Sequence, residues 1–185
     1  NKIDFFEFLI EKGVKFNDNN YSKEENPLFY ACKNDNLKLT KLLLNNGANK
    51  NKALFYASQG ASKNIVSFLI KKGVNVNQKS NLGEIPLIEA SKTNDVSLVK
   101  LLIDSGANVN SKDSDSYTAL MAASRNANKK IVELLIKKGA DINAKDKYGN
   151  TALTEISKKS YKKSKEIIYL LTENNPTNKE PKNLI

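Results

Sequence analysis

The chain has 185 residues, 39% of them hydrophobic, and 30 basic against 20 acidic side chains give a formal net charge of +10. It contains no histidine and a single cysteine, Cys32, which excludes an imidazole base, a histidine or thiolate metal centre and an internal disulfide. No apolar run approaches the roughly 18 residues that span a bilayer, so the chain reads as soluble.

Of the 30 basic residues only Arg125 is arginine. Such a lysine, asparagine and isoleucine bias is what a genome poor in G and C writes at tolerant surface positions. Arginine's planar fork is the preferred reader of phosphates and base edges. A lysine surface is therefore a weak signal for nucleic acid or another polyanion, which stands as the second functional reading.

In chain order, Phe5, Phe6, Phe8, Leu9 and Ile10 precede Gly13 in a helical pattern. A glycine just past the last apolar residue can take the left-handed conformation that ends a helix. Because this helix has no partner before it, the native protein is expected to extend upstream, by truncation or processing before Asn1. The connector Asp18 to Glu25 carries the lone sequon, Asn20-Tyr21-Ser22, a pattern too short to fix a compartment. Residues 26 to 47 then supply two helices, with Pro27 suited to a first turn and Leu28, Ala31, Leu39, Leu42 and Leu43 facing inward.

The next unit keeps its apolar positions, Leu54, Ala57, Ile65, Val66, Phe68 and Leu69, but only 7 residues separate Gly47 from Leu54. Gly73 to Leu87, Gly106 to Leu120 and Gly139 to Leu153 each span 14. A loop is expected to be missing before Leu54. Two regular units follow, in which Leu87, Ala90, Leu98, Val99, Leu101 and Leu102 align with Leu120, Ala123, Ile131, Val132, Leu134 and Leu135. The last unit departs from the pattern: Ile156 replaces the alanine, three extra residues fall within Lys158 to Lys165, and Asn175 stands in place of glycine. Terminal units must be polar outside, and Lys158, Lys159, Lys162, Lys163 and Lys165 can supply that; Pro176 then stops the helix.

The capping glycines, Gly13, Gly47, Gly73, Gly106 and Gly139, are 34, 26, 33 and 33 residues apart. A period near 33 means a repeat array. With Asp146, Gly149, Thr151 and Leu153 at the front and Ile131, Val132, Leu134, Leu135, Gly139, Ala140 and Asn143 at the back, the unit resembles the ankyrin repeat. The resemblance covers nearly the whole chain and implies an all-α solenoid of stacked helix-turn-helix units with short hairpin fingers. The boundaries are a half repeat at 1–17, repeats at about 18–50, 51–79, 80–112 and 113–145, a divergent repeat at 146–175 and a polar tail at 176–185.

The resemblance further implies a non-enzymatic scaffold for protein–protein interaction, without cofactor or metal. Asp113 and Asp115 could be read as a paired carboxylate, but a wet finger cannot raise a carboxyl pKa by burial. Carrying the family's contact surface over by position, the concave groove receives Lys33, Gln59, Lys92, Arg125 and Lys158, one per first helix, and the finger tips place Leu82, Tyr117 and Tyr148 beside them. Four of those five groove positions are basic, so an acidic segment of a partner protein, centred on Arg125, is the expected ligand.

Overall fold

The computed structural model describes residues 2–14, 16, 26–80, 82–158 and 161–176. The connector Asp18 to Glu25 with its sequon, Lys159 and the tail beyond Pro176 lie outside the described residues, as do the side chains of Lys162 and Lys163. Every regular element among the described residues is a helix. A lone α1 (Lys2–Glu11) is followed by five pairs: α2 (Pro27–Lys33) with α3 (Leu37–Asn45), α4 (Lys50–Gln59) with α5 (Lys63–Lys71), α6 (Pro86–Ser91) with α7 (Val96–Asp104), α8 (Ala119–Arg125) with α9 (Lys129–Lys137), and α10 (Ala152–Ser157) with α11 (Tyr161–Glu173).

The first helices α2, α4, α6, α8 and α10 pack on one another in sequence order, and the second helices form a looser row behind them. The aligned apolar positions account for this arrangement. Leu54, Leu87 and Leu120, together with Ala57, Ala90 and Ala123, are almost completely buried, and small residues let first helices approach closely without overpacking. Ile65, Val66 and Leu69 are fully buried, as are Leu98, Val99 and Leu102, and Ile131, Val132 and Leu135. Each second helix thus presents one apolar stripe to the core. At the N-terminal end Phe6 packs edge-on against the buried Phe16 at 5.6 Å between centroids, whereas Phe5 and Phe8 are exposed.

Polar rungs tie successive repeats together. Asn77 donates to Gly106 O at 2.9 Å and accepts from Asn108 N at 2.7 Å; Asn110 does the same with Gly139 O at 3.0 Å and Asp141 N at 2.8 Å. In the last repeat Asn143 meets the Asn175 side chain at 2.9 Å, so the residue that replaces glycine completes the ladder.

Both sequence anomalies resolve in the helices. Without a finger, the chain before Leu54 winds directly into α4, which Asn49 caps by accepting from Asn51 N and Lys52 N, making this first helix 10 residues long against 6 for α6. The extra length of the last unit falls in its second helix. There α11 has 13 residues where α9 has 9.

Candidate functional site

Three fingers share one turn. In residues 80–84, 113–117 and 146–150 the first residue donates its amide to the carbonyl of the fifth, at 2.9, 3.1 and 2.9 Å. The first side chain closes each turn from within: Ser80 Oγ, Asp113 Oδ1 and Asp146 Oδ1 accept from the amides two and four residues on. The fourth position has positive φ, met by Gly83 and Gly149 but by a serine at Ser116 (φ 60°). Burial raises the Asp146 carboxyl, but hydrogen bonds from Asn150 and from the Asn150 and Tyr148 amides more than offset it and leave the pKa lowered. Neighbouring fingers are joined by Ser114 Oγ donating to Leu82 O at 2.8 Å, and by Lys147 donating its amide to Asp115 O at 2.8 Å while its ammonium meets the Asp115 carboxylate at 2.7 Å. Asp113 and Asp115 therefore serve the turn and the lateral contact.

Between the last two fingers and the ends of α6, α8 and α10 lies a groove of about 620 Å³. Of the eight side chains expected to contact a partner, Lys92, Arg125, Lys158, Tyr117 and Tyr148 line it together. Lys33, Gln59 and Leu82 do not: Lys33 folds over the Phe29 ring of its own helix at 5.5 Å, Gln59 donates to Glu89 at 3.1 Å, and Leu82 projects from its finger 75% exposed. Tyr148 is 73% exposed at the groove's rim, with the Lys147 ammonium over its ring at 4.9 Å.

Tyr117 differs from the sequence expectation of an exposed finger tip. As the fifth residue of its turn it points inward, is half-buried and packs against the core. Its hydroxyl is buried without a hydrogen-bond partner in the protein. Burial, reinforced by the Glu155 charge, pushes its pKa up to about 12, and the nearby Arg125 guanidinium opposes this only in part.

Sequence reasoning overlooked Glu89 and Glu155, which are buried at the same position of their repeats. Glu155 is 2% exposed; Lys158 contacts its Oε1 at 2.5 Å and Arg125 Nε stands 3.8 Å from Oε2. Glu89 is held the same way, by Lys92 at the C-terminal cap of α6 and by Gln59 from the preceding repeat. The signal was present: an acid followed three residues later by lysine on a first helix, where other repeats carry Tyr30, Tyr56 or Ala122. Lys92, Arg125 and Lys158, expected to face an acidic partner, thus each stand against a buried carboxylate. The groove is lined by Lys92, Arg125 and Lys158 but also by Asp113, Asp115, Asp146 and Glu155.

Because the Tyr117 hydroxyl gains no bond on folding, Tyr117→Phe is expected to leave stability at neutral pH unchanged or raised by about 1 kcal/mol, read by urea denaturation. The alkaline limb should change too. Between about pH 10 and 12 the unfolded chain's phenol ionises while the folded one stays protonated, so wild type loses stability as pH rises, by about 2 kcal/mol. The phenylalanine variant should lack that component.

A family model for ankyrin repeats (3 copies) matches residues 1–80, 54–146 and 87–183. No curated protein sequence matches the chain. Together the matched ranges span the helix pairs and fingers described above, and the chain belongs to the ankyrin repeat family.

Proposed function

We propose that the chain is a non-enzymatic scaffold that binds an extended segment of a partner protein in the groove of repeats four to six. The observation that carries this reading is the convergence, in one groove of about 620 Å³, of Tyr117 and Tyr148 from two fingers with Arg125 and Lys158 from the C-terminal ends of two first helices. Large aromatic side chains beside arginine are what binding hot spots are made of. The wall is continuous here because the fingers are bonded laterally, whereas before Leu54 helix α4 takes the finger's place.

The charge of this groove supports a mixed rather than a purely acidic partner segment. Its three cations face four carboxylates, so charge complementarity acts on orientation and association rate more than on affinity. The polyanion reading draws no support from this groove, whose Lys92, Arg125 and Lys158 are all in ion pairs.

The test is a peptide or partner selected on the immobilised chain. Tyr148→Ala, at an exposed residue outside the core, should weaken binding by over about 2 kcal/mol, the size of a hot spot, with an unchanged circular dichroism spectrum. Lys71→Ala, on the second helix α5, should bind like wild type. The reverse pattern would place the partner on the second-helix face.

A further inference from the structure

The acidic residues are unevenly spread. From Asn36 to Gly83 the chain carries eight lysines and no aspartate or glutamate, although it holds 20 acids in all. On the second-helix face this leaves one junction without a counter-charge. Between repeats four and five, Lys100 and Lys138 converge on Asp104, at 2.6 and 3.1 Å from its two carboxylate oxygens, and hold its pKa below the ordinary range. Counted from their capping glycines, Lys41, Asn45 and Lys72 occupy the same three positions between repeats two and three. An amide replaces the carboxylate there. Both ammoniums turn instead to one ring, Lys41 at 5.2 Å and Lys72 at 6.0 Å from the Phe68 centroid, and neither makes an ion pair with a described residue. Lys41, Asn45 and Lys72 are all exposed.

We propose that the second-helix face of repeats two and three docks an acidic segment of a protein, one of whose carboxylates takes, between Lys41 and Lys72, the place that Asp104 holds between Lys100 and Lys138. This surface is separate from the groove and does not depend on its reading. Two ammoniums gathered on one ring repel each other, and at an exposed site the ring offsets this only weakly. A carboxylate relieves the repulsion, as it does at the junction of repeats four and five. Lys38, one turn before Lys41, and Lys71, beside Lys72, are exposed and make no ion pair with a described residue either, so they can meet further acids of the segment. The surroundings select the kind of partner. Towards the N-terminus α1 brings exposed Asp4, Glu7 and Glu11, and towards the C-terminus α7 brings Asp104. A bilayer or a long nucleic acid laid across these helices would cover those carboxylates too, whereas a short acidic segment meets only lysines.

Fluorescein-labelled oligoglutamate provides the probe, its binding to the full chain read by anisotropy at about 0.05 M salt, where screening is weak. Asn45→Asp supplies the missing carboxylate from within and should weaken binding about fivefold, the worth of two exposed ion pairs. Lys41→Gln should also weaken it. Asn108→Asp is the control: it changes the net charge by the same amount in repeat four and keeps the bond from the Asn110 amide, so it should bind like wild type. Tyr148→Ala should leave oligoglutamate binding unchanged, which separates this surface from the groove. Equal binding by Asn45→Asp and Asn108→Asp, or no binding by wild type, would overturn the acidic-segment site and leave the groove reading intact. Heparin or phosphatidylserine vesicles that bind wild type and are lost with Asn45→Asp, while oligoglutamate is not, would overturn it too, by assigning the surface to an extended polyanion.

Discussion

Substituting Gly60 by alanine is expected to destabilise the protein by about 2–3 kcal/mol, at the upper end for overpacking a tight contact. The reason is not conformational. Gly60 follows α4 with φ −84° and ψ 0°, a geometry that alanine adopts freely. A Cβ there would lie 2.6 Å from Lys33 Cα and 3.0 Å from Lys33 O, and backbone of α2 cannot turn aside as a flexible side chain can. Relieving the contact would part α2 from α4. The same junction holds Ser62 Oγ donating to Cys32 O, so the separation would also unmake a buried hydrogen bond. Gly139→Ala is the informative comparison: its φ of +85° strains an L side chain, but nothing lies within 4 Å of the added carbon, so its cost should stay near 1 kcal/mol. A urea midpoint for Gly60→Ala equal to that of wild type would show that repeats two and three are not packed as closely as described.

Reversing the charge at Arg125 is the second large effect. In Arg125→Glu a carboxylate replaces the guanidinium that stands 3.8 Å from the buried Glu155. Breaking a fully buried pair costs about 3–5 kcal/mol. Here Arg125 is 66% exposed and Lys158 remains on the other oxygen, so screening lowers the expectation to about 2 kcal/mol. Adding Glu155→Gln should recover most of the loss, because an amide buried at that position no longer needs a counter-charge. Arg125 is thus a stabilising residue as well as a groove residue, and binding measured on an Arg125 variant mixes the two roles. Tyr148 carries no such structural duty. Failure of Glu155→Gln to rescue Arg125→Glu would mean that the guanidinium acts elsewhere than on Glu155.

The architecture was legible because packing requirements recur every 33 residues or so. Leu87 and Leu120, Ala90 and Ala123, and Val99 and Val132 occupy equivalent buried places, and a reader of the sequence needs only the period to find them. Contacts that are not periodic were hidden. Gln59 with Glu89 and Arg125 with Glu155 join residues 30 positions apart, in two repeat junctions only, and Ala122 breaks the series between them. A positional reading saw four cations and missed the buried acids that two of the first helices set against them. Tyr117 was misplaced for a related reason: the fifth residue of a finger turn points inward, as Glu84 and Asn150 do in being partly buried, while the third, Leu82 or Tyr148, projects. The shortened and lengthened repeats were found by counting. Only the structure assigns their effect to the helices α4 and α11.

The central claim is that a partner segment occupies the groove of repeats four to six. Hydrogen exchange with and without a selected peptide tests it most directly, since it locates contact without changing a residue. The account predicts added protection confined to the fingers at 113–117 and 146–150 and to the adjoining ends of α8 and α10. Protection appearing instead on α5, α7 and α9, with those fingers exchanging as in the free protein, would contradict it.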